Sequence, residues 1–269
     1  MNRVLRRGMI GPDVAAWQTI VGTGADGVFG AGTEKATIRW QLARGLSADG
    51  VVGPATIAAI DSRPVPRPQH LAGEPGARWP FVQAVVYRWR AIGERNIRLL
   101  VVHTMESGEK PDTAEAVAAW FGGLRGTPPR ASAHVCIDAD SIVRCVRAAH
   151  DAAAAPGANR DGYHAEFAGR AGQGVDGWMD TYSQDMLLLA EDHLGEAAAM
   201  FDIQVRRLSV DEVRDGRTKG VCGHADVSKA FGKSTHTDPG QTFPWAPFLV
   251  GMAAAKGRYS ATLGALATV

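Results

Sequence analysis

Two histidines and one aspartate stand out by the company they keep. His103 closes the β-prone apolar run Arg98-Leu-Leu-Val-Val-His103 and is followed by Thr104, where a buried strand delivers a side chain to a cleft. His224 follows a glycine in Cys222-Gly-His-Ala-Asp226. Asp238 lies in Thr235-His-Thr-Asp-Pro-Gly240, a turn sequence whose backbone is tightly held. Two imidazoles and one carboxylate from separate segments suit a catalytic zinc ion, which keeps a fourth position open for water. The chain has eight His, so spacing alone does not single out this trio.

The elements that must position these residues follow from the pattern around them. Residues 98–103 predict a buried strand, 162–167 a second by alternation, and 133–137 with 142–146 a hairpin about Asp138-Ala-Asp-Ser141. Cys136 and Cys145 flank that turn and are expected to face each other unbridged. Helices are expected over 112–121, where Asp112 can cap, and over 180–201, which is long and amphipathic. Strands interleaved with helices indicate an α/β domain over 81–250. Residues 251–269, broken by Lys256, Arg258 and several Gly, read as a small-residue tail.

The first 60 residues have a different character. Asp26-Gly-Val-Phe-Gly-Ala-Gly-Thr33 returns 23 residues later as Asp49-Gly-Val-Val-Gly-Pro-Ala-Thr56. Each copy reads as a Gly-rich turn whose Thr can cap the next helix. Helices are expected over 12–21, 33–44 and 55–60, with Trp17 and Trp40 in the core and Asp26 and Asp49 holding turns. Residues 61–80 carry five Pro and predict a semi-rigid linker.

Composition narrows the function classes. The chain has 269 residues, with 29 Lys+Arg against 28 Asp+Glu, so it lacks the basic field of a nucleic-acid binder. That near-neutral sum divides into +2 over 1–60, +1 over 61–80 and −2 over 81–269. Three Cys cannot make a disulfide framework. No run of about 18 apolar residues suggests membrane insertion. The start, Met1-Asn-Arg-Val-Leu-Arg-Arg-Gly8, lacks the apolar stretch of a secretory signal, so synthesis in a cytoplasm is expected. No pair of carboxylates in matching context points to a glycosidase.

Taken in order, the motifs resemble two known families. Residues 4–60 resemble the peptidoglycan-binding domain of many cell-wall hydrolases, through Gly8, Gly11, Val14 and Gln18, the repeated Asp-Gly-x-x-Gly-x-x-Thr, Trp40-Gln41 and Gly45-Leu46. Residues 95–250 resemble the zinc-dependent N-acetylmuramoyl-L-alanine amidases of the amidase-2 and peptidoglycan-recognition family. The matching pieces are Val-Val-His103-Thr, Ser-Ala-His134-Val-Cys-Ile-Asp, Asn159-Arg-Asp-Gly-Tyr-His-Ala-Glu166, Gly-His224-Ala-Asp and Thr-Asp238-Pro-Gly followed by Phe-Pro-Trp245. This pairing is common in phage endolysins.

The resemblance implies an α/β domain with a mixed central sheet flanked by helices, preceded by a small all-α three-helix domain. It matches His103, His224 and Asp238 to the family's zinc ligands, and Glu166 to the acidic residue that acts on the nucleophilic water. His236 stands where the family often has an oxyanion-stabilising Lys; a neutral imidazole offers one donor where an ammonium brings a fixed charge. Ala133 replaces the catalytic Tyr of some relatives. His134 and His164 are expected in sheet packing or behind a ligand, and His70, His150 and His193 in solvent. The implied substrate is bacterial peptidoglycan, cut between N-acetylmuramic acid and L-Ala by a monomer that acts on the wall after release from the host cytoplasm. The alternatives are a non-catalytic peptidoglycan-recognition protein and a bacterial autolysin or recycling amidase.

Overall fold

The computed structural model describes residues 3–42, 49–60, 74–91, 93–127 and 129–266, and the chain divides into two compact units, Met1–Gln69 and His70–Val269. In the first unit, α1 (Pro12–Val21), α2 (Ala31–Leu42) and α3 (Pro54–Ala58) are joined by the two copies of the repeat. Pro opens α1 and α3, where its missing N–H is not needed. Trp17 and Trp40 meet edge to face with centroids 4.9 Å apart, and Trp17 Nε1 donates to Thr37 Oγ1 at 2.8 Å.

Each repeat closes around a buried glutamine. Gln18 Nε2 donates to Asp26 Oδ1, the Val28 carbonyl and Thr33 Oγ1, and its Oε1 accepts from Gly27 N. Gln41 does the same with Asp49, Val51, Thr56 and Gly50, at 2.9–3.0 Å throughout. Thr33 and Thr56 were expected as helix caps. They instead sit inside α2 and α3 as partners of these glutamines, because the carboxamides claim their hydroxyls. Replacing Gln41 by Leu strips the Gly50 N–H and the Asp49 carboxylate of a buried partner and should destabilise the first unit by about 2–4 kcal/mol. A denaturation midpoint unchanged from wild type would show that the network is not what holds the turn.

The second unit begins with β1 (Tyr87–Arg88), β2 (Leu99–Thr104), α4 (Thr113–Phe121), β3 (Val135–Ile137), β4 (Ile142–Arg144), β5 (Asp151–Ala152) and β6 (Gly162–Phe167). It continues with α5 (Val175–Met179), α6 (Thr181–Met200), α7 (Val210–Arg214), β7 (Gly220–Gly223), α8 (His224–Phe231) and α9 (Trp245–Leu266). β1 and β5 form a separate antiparallel ribbon; the main sheet runs β4-β3-β6-β2-β7. β2 is parallel to β6 and β7, and β3 is parallel to β6 but antiparallel to β4, so the sheet is mixed. A central parallel strand is covered on both faces, which is why Leu99 to Val102 is continuously apolar. Register places His103 beside Glu166 and Val102 beside Gly223, so β6, β2 and β7 all end at one edge of the sheet.

One face of the sheet packs on α6 and α9 through Phe167, Met186, Leu194, Phe248 and Met252. Another cluster, including Ala114, Ala118 and Phe121 of α4, holds Cys136 and Cys145, which are free with Sγ atoms 3.8 Å apart. The expected tail is not a tail: residues 251–266 continue α9, with Met252, Ala255 and Tyr259 buried. Its glycines and basic residues misled because they serve packing. A Cβ on Gly251 would meet Glu191, and Lys256 Nζ reaches the Ile203 carbonyl at 2.9 Å.

The expected linker divides. Residues 61–73, His70 among them, lie outside the described residues, whereas 74–80 belong to the second unit and pack within it. Arg78 bonds Glu196 at 2.7 Å, and Pro80 O accepts from Arg144 N at 2.8 Å. His193, expected in solvent, is buried against the Tyr163 hydroxyl at 2.9 Å, because its face of α6 is turned to the sheet. His150 is half-buried and stacks on Tyr87. No helix among the described residues is long and apolar enough to cross a membrane.

Candidate active site and metal centre

At the edge where β6, β2 and β7 end, three side chains converge. His103 is the penultimate residue of β2, paired with Glu166 of β6 and one residue past the Val102–Gly223 pair that closes the ladder to β7. His224 is the first residue of α8, immediately after β7. Asp238 is placed by its own carbonyl, which accepts from Ala225 N at 2.9 Å. Gly223 permits that approach, since a Cβ there would lie 2.6 Å from Pro239 Cδ. Gly240, at φ 92°, turns the chain so close to Ala171 that no side chain fits.

The donor atoms form a compact triangle. His103 Nδ1 is 3.1 Å from His224 Nδ1 and 3.4 Å from Asp238 Oδ2, and His224 Nδ1 is 3.5 Å from Asp238 Oδ1. Donors about 2.0–2.1 Å from a tetrahedral metal stand about 3.3–3.4 Å from each other, so these separations fit a small tetrahedral ion. His103, His224 and Asp238 are only 2%, 3% and 5% exposed. They are the one set of three or more His, Cys, Asp or Glu with metal-binding spacing among the described residues.

The electrostatics suit a divalent cation. Burial pushes the His103 imidazole down, outweighing the opposing pull of Asp238, so the ring is neutral and has a lone pair to give. Burial would raise the Asp238 carboxyl, but the His103 and His224 imidazoles beside it hold it well below the usual carboxylate range. As metal ligands, two imidazoles and one carboxylate bring a single negative charge, which a dication over-neutralises.

Glu166 lies across from His103 on the adjacent strand, on the same face of the sheet. It is half-buried, and desolvation, followed by the charges of Asp238 and Glu106, pushes its carboxyl well above the ordinary range. His236 stacks on His224 with centroids 4.1 Å apart and an interplanar angle of 12°. Its Nδ1 is 3.4 Å from Asp238 Oδ1 and its side chain is 62% exposed, so it stands at the mouth of the cluster.

Behind the cluster, His164 Nδ1 is 3.0 Å from His103 Nε2, and Ser234 Oγ is 3.3 Å from His224 Nε2. His134 stacks on His164 and accepts its backbone N–H at 3.0 Å. Ser234 escaped the sequence reading, since a serine in a polar loop carries no signal of its own. Glu106 escaped it too. It holds φ 51°, and its carboxylate accepts from Thr104 Oγ1 at 2.6 Å and Ala171 N at 2.8 Å, tying the segment after β2 to the one after β6.

The profile of the peptidoglycan binding domain matches residues 17–60, and that of the N-acetylmuramoyl-L-alanine amidases matches residues 93–241. No curated protein matches the chain at a significant level. Among solved structures, the hydrolase AmiA of Staphylococcus aureus in complex with its ligand is 13% identical, with 68% of this chain and 83% of that one covered and a TM-score of 0.49. AmpD is 20% identical over 66% and 96% of the two chains, with a TM-score of 0.48. LysC, an N-acetylmuramoyl-L-alanine amidase from Clostridium intestinale, is 16% identical over 63% and 95%, with a TM-score of 0.40. The amidase match alone spans more than half of the sequence and contains all three donors, and on that ground the chain belongs to the N-acetylmuramoyl-L-alanine amidase family.

Proposed function

We propose that this amidase is a zinc enzyme that cuts peptidoglycan between the lactyl group of N-acetylmuramic acid and L-Ala, with His103, His224 and Asp238 as the metal ligands. The observation that carries the reading is the convergence of His103 Nδ1, His224 Nδ1 and the two oxygens of the Asp238 carboxylate, 3.1–3.5 Å from one another across the cluster. Zinc held there would supply Lewis acidity, polarising the scissile carbonyl and making water acidic near neutral pH.

The remaining work falls to the chain's own groups. Glu166 takes the proton of the attacking water and hands one to the departing amine of L-Ala. Its half-buried position and raised carboxyl suit a group that must hold a proton between those steps. His236, fixed against His224 but exposed, is the donor for the oxyanion of the tetrahedral intermediate. The first unit tethers the enzyme to the wall, and its pairing with an amidase supports an endolysin role in host lysis. Convergence of all three donors speaks against the recognition-only alternative, in which a ligand would be missing.

Product analysis tests the reading. The full chain acting on purified peptidoglycan should release new N-terminal L-Ala amines without new reducing sugar ends. Reducing ends in place of amines would overturn the bond assignment.

A further inference from the structure

His103 is held from behind as firmly as from the cluster side. Its Nε2 lies 3.0 Å from His164 Nδ1, and His164 Nε2 lies 3.2 Å from the Ala158 carbonyl oxygen. A carbonyl can only accept, so His164 carries its proton on Nε2 and presents a lone pair at Nδ1. That lone pair takes the Nε2–H of His103 and leaves the Nδ1 lone pair of His103 facing His224 and Asp238. The order of acceptors therefore sets both tautomers.

The surroundings keep the chain of bonds in place. His164 is fully buried, packed between His103 and His134 with centroids 5.2 and 5.6 Å away. Its backbone N–H is tied to His134 Nδ1 at 3.0 Å. Gly162 leaves the room the contact needs, since a Cβ there would stand 2.6 Å from Ala158 O and 2.7 Å from His164 Nε2. Behind His224 the partner is the hydroxyl of Ser234, which rotates to give or accept and imposes no tautomer. The two imidazole ligands thus differ in how they are set.

We propose that His164 is a positioning residue for the metal centre, locking His103 as the Nε2–H tautomer with Nδ1 turned to the ion. The proposal rests on the metal reading above, and zinc affinity tests it in the full chain by competition with a chromophoric chelator. His164→Phe should weaken zinc binding about 10- to 100-fold, whereas His164→Asn, whose Oδ1 can accept near the lost Nδ1, should stay within about threefold of wild type. Gly162→Ala, remote from the ligands, should weaken binding in the same direction by displacing the His164 ring. The second readout is ¹⁵N NMR of the metal-free wild type, with His103 and His164 both expected as Nε2–H tautomers. That measurement also decides the matter if His164→Phe fails to fold.

Wild-type affinity in His164→Phe, or an Nδ1–H tautomer at either ring, overturns the proposal. A wild type that takes up no zinc overturns the metal reading instead, and the tautomers still report on the relay.

Discussion

Asp238→Ala should fold yet purify without zinc and without amidase activity. Asp238 is the only anion of the triangle, so its loss leaves a neutral donor pair that cannot compensate a dication. Removing one partner from a buried charged set costs about 3–5 kcal/mol, or on the order of 10²- to 10⁴-fold in affinity, and chelation by buffer components does the rest. The fold should survive because the anchors of this turn are not the carboxylate. The Asp238 carbonyl still accepts from Ala225 N, and Gly223 and Gly240 still permit the close approaches. Asp238→Asn, which keeps the shape without the charge, should behave as the alanine variant does. Metal content and thermal unfolding on one sample check both halves of the expectation. Stoichiometric zinc in Asp238→Ala would remove this residue from the ligand set.

Glu166→Gln should give the opposite pattern, with zinc retained and turnover lost. The carboxamide has nearly the same volume and fits the half-buried position, but it cannot take a proton from water or return one to an amine. General acid–base catalysis contributes about 10²–10⁴-fold, and one group serving both steps places the expected loss in kcat at the upper part of that range. The effect on KM should be small, because proton transfer belongs to the transition state. Neutralising Glu166 also removes a negative neighbour of Asp238, so zinc affinity should change by less than about tenfold. Single-turnover rates on a soluble muropeptide, with metal content measured in parallel, separate the two effects. A wild-type rate would take Glu166 out of the mechanism.

Some of this was legible in the residues and some was not, for identifiable reasons. The strand 98–103 could be read because a doubly covered strand must be apolar throughout, and His103 was therefore conspicuous as its polar end. Glu166 alternates within 162–167 like any strand residue, and only the family resemblance gave it a role. The glutamines of the repeat stood in plain view in the binding-domain motif, but a single Gln has no periodic signature. What makes Gln18 and Gln41 central is that each meets four partners from 8 to 15 residues away. His193 was misplaced because the partner that buries it, Tyr163, belongs to another element. The helix α9 was missed since glycine was taken as a breaker. At Gly195 of α6 and Gly251 of α9 it is instead the residue small enough for two helices to touch, where a Cβ on Gly195 would stand 2.4 Å from that of Ala255.

The topology also bears on when the metal can enter. His103 and His224 are 121 residues apart, and β2 finds its parallel neighbours only at 162–167 and 220–223. Parallel pairs need long crossovers, and closing such loops precedes any gain from the contacts they make. An ion meeting the unfolded chain would find His224 and Asp238 near each other but His103 far away, a site too poor to act as a nucleus. An ion that binds the finished domain and not the unfolded one stabilises by mass action. Its influence on the kinetics would then fall on unfolding: the domain would assemble at its own pace, and a bound ion would govern how slowly it comes apart.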